Sequence, residues 1–140
     1  MRVLFDTNVV LDVLLMRAPH AAVAARLLDT VDKGEIEGLL CATTVTTIYY
    51  LAVKEVGPRK ATDQLRDLLA MFEVAPVDHA ILVQALKLGH VDYEDAVLHE
   101  AARASGAEAI VTRNPKHFGR AGLTVLNPQQ LLSVVRGAGS

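Results

Sequence analysis

The sequence predicts an α/β domain built on a mostly parallel sheet, and three observations carry that expectation. Short apolar runs recur at 2–5, 38–42, 72–77, 107–112 and 123–126. The stretches between them carry helical spacing or helix start and stop signals, so strand and helix alternate almost throughout. No internal repeat, linker or low-complexity block interrupts the 140 residues, which suit one domain over 1–136 followed by a flexible tail at 137–140.

The opening run, Arg2-Val3-Leu4-Phe5, reads as a buried strand that ends abruptly at the carboxylate of Asp6. Thr7-Asn8 then lead into an apolar helix over Val9 to Met16, which Ala18-Pro19 closes. Pro19 is expected to open the next helix, Ala21 to Val31, because proline near a helix start sacrifices no needed amide, and Lys33-Gly34 ends it. Gly38 to Ala42 is a second buried strand, with Thr43-Thr44 as the cap pair of a helix that passes Tyr49-Tyr50-Leu51 and breaks at Gly57-Pro58. Leu65, Leu68, Leu69 and Phe72 then recur at helical spacing, with Arg66 and Asp67 on the other face. Phe72 to Val77 is a strand near a sheet edge, since Pro76 cannot donate to a ladder. Asp78 caps a helix ending near Gly89, and a further helix starts at Asp92 or Tyr93 and stops at Ser105-Gly106. Ala107 to Thr112 is another strand, Arg113 to Gly122 a polar loop, Leu123 to Leu126 a last strand, and Asn127-Pro128 starts the terminal helix.

Composition narrows the function classes. A hydrophobic share of 51% with 21% charged residues is that of a soluble globular protein, and no apolar run approaches the roughly 20 residues needed to cross a bilayer. Asp6 and Asp12 interrupt the only apolar N-terminal stretch, which argues against a signal peptide and for the cytoplasm. The single cysteine, Cys41, permits no internal disulfide or cysteine-based metal cluster and is expected in the core. A net charge of −2 argues against a simple nucleic-acid clamp: phosphates would need local Lys and Arg, or a bound cation, to be held.

Chemistry-bearing residues gather at three places, each beside an expected strand end or helix start. The first is Asp6, at the end of the first strand, where open parallel sheets usually place their ligands. Asp6-Thr7-Asn8 equally suits a plain helix cap. The second is Asp92-Tyr93-Glu94-Asp95, in which Asp92 and Asp95 share a face if both lie in the first helical turn, while Glu94 points elsewhere. An acidic first turn stabilised by the helix dipole explains the same residues without any ligand. The third is Thr112-Arg113-Asn114, with Asn114 before Pro115 also fitting a turn. Carboxylates brought together repel unless a divalent cation binds, and oxygen ligands suit magnesium or manganese. The five histidines, His20, His79, His90, His99 and His117, show no helical metal pair and are expected at the surface or in caps, His117 excepted for its place in the loop after Asn114.

Phe5-Asp6-Thr7-Asn8-Val9, then Asp92-Tyr93-Glu94-Asp95-Ala96 with Ala101-Ala102 behind it, then Ile110-Val111-Thr112-Arg113-Asn114 with Phe118, together resemble the PIN-domain family of metal-dependent ribonucleases, which includes the VapC-like toxins. The resemblance spans essentially the whole chain. It implies a three-layer fold, a central mostly parallel sheet of about five strands between helices. It also implies Mg2+ or Mn2+ held by Asp6 and Asp95, with Asp92 as an additional ligand or an orienting group for the attacking water. Phosphodiester hydrolysis follows, with Thr7 and Asn8 bonding water or a phosphate oxygen and Arg113, Asn114, Lys116 and Arg17 near the substrate. RNA is the implied partner, with an antitoxin protein and a homodimer as further ones, the dimer drawing on Leu14, Leu15, Leu27 and Leu28.

This chain departs from the family pattern twice. The family's glutamate in the helix after the second strand is expected at Tyr50, and its second acid after the fourth strand is Asn114 here. An amide oxygen ligates a hard cation without adding charge, so metal binding should be weaker. A binding module that keeps the fold and holds RNA or a protein through an eroded site is therefore the alternative. An aspartate-nucleophile phosphatase ranks below both, because Asn8 cannot release a proton where a general acid is needed.

Overall fold

The computed structural model describes residues 1–89, 92–115 and 123–138. His90, Lys116, His117 and Phe118 lie outside the described residues. The chain runs β1 (Arg2–Phe5), α1 (Thr7–Leu14), α2 (Ala21–Asp32), β2 (Glu37–Cys41), α3 (Ala42–Val56), α4 (Pro58–Met71), β3 (Glu73–Ala75) and α5 (His79–Lys87). It continues through α6 (Tyr93–Ala104), β4 (Ala109–Val111), β5 (Thr124–Leu126) and α7 (Pro128–Ala138). The five strands form one sheet in the order β3-β2-β1-β4-β5, and every neighbouring pair is parallel. The expected α/β architecture is what the chain adopts.

The sheet divides the interior into two cores because side chains of a strand alternate between faces. Val3 and Phe5 of β1 join Val9, Val10, Leu27, Ile48, Leu68 and Leu131 on one side, a core supplied by α1, α2, α3, α4 and α7. Leu4 points to the other side with Leu39, Ile110 and the alanine-rich face of α6, covered also by Ile81 and Ala85 of α5. Burial on both faces explains why the central strands read as continuous apolar runs. The strand β3 is an edge, as expected, but it ends at Ala75, so Pro76 falls just beyond it and is not what sets its place.

Several boundaries differ from expectation for local reasons. Helix α1 stops at Leu14, and α2 starts at Ala21, after Pro19 and His20. The cap pair Thr43-Thr44 lies inside α3: Cys41 is the N-cap without a side-chain bond, and Thr44 Oγ1 donates back to the Cys41 carbonyl at 2.8 Å. Gly137 and Ala138 belong to α7, where a flexible tail is expected from 137, and 139–140 lie outside the described residues. Leu27 and Leu28 are buried and Leu14 and Leu15 pack partly buried against the same core, so core packing accounts for these four leucines. His99 is buried within α6, where a surface histidine was expected, because its position follows the apolar stripe of Ala96, Val97 and Leu98. Among the described residues, no helix is long and apolar enough to cross a membrane.

Candidate active site

The chain lays down β1, β2 and β3 outward in one direction and then returns to place β4 and β5 on the other side of β1. That reversal leaves a crevice beyond the carboxyl ends of β1 and β4, the place where open parallel sheets bind ligands. Asp6 follows β1 and Thr112 follows β4, so the two residues face each other across it. Thr112 Oγ1 donates to Asp6 Oδ2 at 2.7 Å, and the Asp6 amide donates to the Val111 carbonyl at 2.9 Å.

Asp6 is both a helix cap and a cleft residue. Its Oδ1 accepts from the Thr7 amide at 2.8 Å, while Oδ2 also receives Asn8 Nδ2 at 3.3 Å. Asn8 in turn accepts the Arg113 amide through Oδ1 at 3.3 Å, and the Asn114 amide donates to Thr112 Oγ1 at 3.1 Å. The segment after β4 is thus sewn to the start of α1, with the carboxylate of Asp6 held in one orientation.

Asp6, Thr7, Thr43, Thr44, Thr47, Glu94 and Asp95 line a common cleft of about 180 Å³, closed at its sides by Leu82, Tyr93, Val97 and Leu98. Asp6 and Asp95, separated by most of the chain, border the same space. Asp92 does not line it: Asp92 is the N-cap of α6, accepting from the amides of Glu94 at 2.9 Å and Asp95 at 3.3 Å. Its backbone is extended at φ −102° and ψ 116°, so the rule that residues three apart share a helical face does not apply to it. Glu94, expected to point elsewhere, takes the cleft position.

Helix α3 turns Thr43, Thr44 and Thr47 toward the cleft, and Tyr50 is not among its lining residues. Tyr50 sits three residues further along, roughly 4.5 Å up the axis at about 1.5 Å per residue, beyond the cleft wall. Its ring is 60% exposed, with Lys54 Nζ 4.5 Å from the centroid. The sequence register that put Tyr50 in the acidic site is therefore one turn out, and threonine hydroxyls stand there instead. Asn114 is exposed outside the cleft. Arg113 is turned toward α1, its Nε 2.9 Å from Asp12 Oδ2, and Arg17 Nη1 lies 4.0 Å from Asp12 Oδ1.

The donor set of the cleft is hard oxygen throughout, from the carboxylates of Asp6, Asp95 and Glu94 and the hydroxyls of Thr7, Thr43 and Thr47. Such a set fits Mg2+ or Mn2+, which protein sites typically hold through one or two carboxylates while water and substrate phosphate fill the other positions. Among the described residues, no three or more His, Cys, Asp or Glu are grouped closely enough to hold a metal ion by themselves. A larger hollow of about 920 Å³ opens at Met1, Ile36 and Val134, at the opposite end of β1. It lies on the side where parallel sheets do not place their chemistry.

Residues 2–116 match the profile of the PIN domain. Ribonuclease VapC1 of Aquifex aeolicus is 22% identical over 134 residues, covering 92% of both chains. Among solved structures, VapBC2 of Rickettsia felis bound to a promoter DNA fragment superposes with a TM-score of 0.70 at 16% identity, covering 91% of this chain and 98% of that one. A toxin-antitoxin complex from Klebsiella pneumoniae gives a TM-score of 0.68 at 22% identity, covering 90% and 97%. These structural likenesses establish the three-layer fold.

Proposed function

Because this chain belongs to the PIN-domain family, we propose that it is a cytoplasmic endoribonuclease that uses Mg2+ or Mn2+ to hydrolyse RNA phosphodiester bonds. The observation that carries this reading is the meeting of Asp6 and Asp95 in one oxygen-lined cleft beyond the sheet. Asp6 and Asp95 would hold the cation, and Glu94 lines the same cleft. Such a cation supplies hydroxide near neutral pH and offsets the negative charge that grows on the phosphate in the transition state.

The remaining work falls to the chain's own groups. Thr112 and Asn8 keep Asp6 Oδ2 in one orientation through bonds of 2.7 and 3.3 Å. Thr7 begins α1, whose positive end favours a phosphate oxygen, and Thr43 and Thr47 line the same cleft, Thr47 Oγ1 donating within α3 to the Thr43 carbonyl at 3.3 Å. The buried side chains of Val97 and Leu98 give the cleft an apolar wall. Asp92 sets the first turn of α6 and so the place of Asp95, a supporting role in place of a ligand's. Lys116 remains a proposed contact to flanking phosphate.

The named activities of VapC1 and of the toxin-antitoxin complex support a further step, that this chain is a VapC-like toxin restrained by an antitoxin protein. A second reading, an RNA- or protein-binding module, is favoured by one observation: threonines and not a carboxylate face the cleft from α3. The deciding experiment incubates purified protein with labelled structured and single-stranded RNAs in Mn2+, Mg2+ or chelator. Cleavage should require the metal and disappear in Asp6→Asn and in Asp95→Asn, both folded. Activity that persists in chelator or in both variants excludes the nuclease reading, and no activity under any metal leaves the binding module.

A further inference from the structure

Asp12 lies in the middle of α1 and is wholly buried, an ionisable residue on a helix whose other inward positions are Val9, Val10 and Leu11. Burying a carboxylate is costly unless it is paired, and Asp12 is paired twice. Arg113 Nε approaches Oδ2 at 2.9 Å and Arg17 Nη1 approaches Oδ1 at 4.0 Å. Neither oxygen of Asp12 accepts a well-directed hydrogen bond, so the pair is held by charge. Nothing in the reaction outlined above touches Asp12.

Arg113 is what connects Asp12 to the chemistry. Asn8 and Asp12 are four residues apart on α1 and therefore stacked on one face. Asn8 grips Arg113 by its main-chain amide at 3.3 Å, and Asp12 grips it by its side chain. The residue before Arg113 is Thr112, fully buried, whose hydroxyl lies 2.7 Å from Asp6 Oδ2. We propose that the pair of buried Asp12 and half-buried Arg113 is a positioning device: it clamps the segment after β4 to α1, so that the Thr112 hydroxyl fixes Asp6 for metal binding. Arg113 then serves the site through Thr112 and not as a grip on RNA. This inference rests on the nuclease reading for its kinetic consequence, but its structural core is open to a metal-binding test.

Removing Arg113 alone would leave the buried Asp12 carboxylate with only the more distant Arg17, which is strongly destabilising, so the variant of choice is Asp12→Asn with Arg113→Gln, which removes both charges. It is compared with Thr112→Val and with the triple variant, in a cycle read by kcat, KM and calorimetric Mn2+ affinity. Groups that orient a metal ligand typically cost 10–100-fold in affinity or activity when lost. The pair variant should lose about that factor in Mn2+ affinity and kcat, with KM nearly unchanged. Thr112→Val should show a like loss, Thr112→Ser should recover it, and the triple variant should be no worse than either parent.

A rise in KM at unchanged kcat would make Arg113 a phosphate contact and overturn the proposal. Losses that multiply in the triple variant, or lowered thermal stability with normal Mn2+ affinity, would do the same. Wild-type protein that binds Mn2+ without cleaving RNA sinks the nuclease reading alone, since the Mn2+ cycle still decides the role of the pair. Wild-type protein that binds no Mn2+ removes both.

Discussion

At Gly38 the absence of a side chain is what lets the sheet close against its helices. A Cβ built there would fall 2.6 Å from Phe72 Cε1 and 2.9 Å from Val31 Cγ1, inside any tolerable contact. The Phe72 ring fills that space and meets Phe5 edge-on at 5.1 Å. Ala at this position must push an aromatic ring out of a packed core, and overpacking of this kind costs about 1–3 kcal/mol. Gly38→Ala is therefore expected to lower the unfolding free energy by that amount, read as a lower urea midpoint at an unchanged m-value; a midpoint equal to wild type would show that Phe72 has room to move. The sequence revealed Gly38 as part of an apolar run but not the ring above it, since the partner is brought in by a distant turn of chain. The same distinction separates Asp6 from Asp12. Asp6 was legible because it ends an apolar strand, whereas an isolated acid within a helix, such as Asp12, reads as its polar face until the arginines that pair with it are seen. A spacing of three puts Asp92 and Asp95 on one helical face only if both are helical, and Asp92 is the N-cap, which spacing alone does not reveal.

Among the elements, α3 holds the least legible part of the site. Its start was expected after two threonines, but the chain turns helical at Ala42, directly from β2, and this advance shifts which residues face the cleft. Ile48 and Ala52 fix the rotation of the helix by burying in the core, which leaves Thr43 and Thr47 at the cleft and carries Tyr50 past it. A sequence pattern of Thr-Thr-Val-Thr-Thr gives no sign of that register, because hydroxyls are at home on either face. The placement yields a gain-of-function test. Thr47 is exposed and Glu is a better helix former than Thr, so Thr47→Glu adds a carboxylate to the cleft at little cost to folding. Mn2+ affinity should then rise about tenfold or more, on the order of 1.4 kcal/mol, from one added charge near a divalent ion. Tyr50→Glu, pointing beyond the cleft, should leave it unchanged. The opposite ranking of the two variants in a calorimetric titration would show that the register of α3 in solution differs from the one described.

For the molecule as a whole, topology and charge together decide how RNA can be held. The alternation of strand and helix announced the sheet, and the order of the strands then set the crevice between β1 and β4. Strand order itself was not written in any local pattern; it follows from which apolar faces can be covered at once by five helices on one side and two on the other. The consequence is a cleft walled by Asp6, Glu94 and Asp95 on a chain of net charge −2. A phosphate entering without a cation meets like charges within the roughly 8 Å over which they act at physiological salt. RNA binding should therefore be linked to metal. With a 2′-O-methyl oligonucleotide that resists hydrolysis, anisotropy is expected to give weak binding in chelator and an affinity about tenfold or more higher in saturating Mn2+ at fixed ionic strength. The sign must reverse for a variant that loses an acid. Asp95→Asn should bind the oligonucleotide more tightly than wild type in chelator, because one repulsive charge is gone, yet gain less from Mn2+. An affinity indifferent to metal, or weakened in chelator by Asp95→Asn, would mean that RNA is held elsewhere on the surface and that the acidic cleft is not where the strand lies.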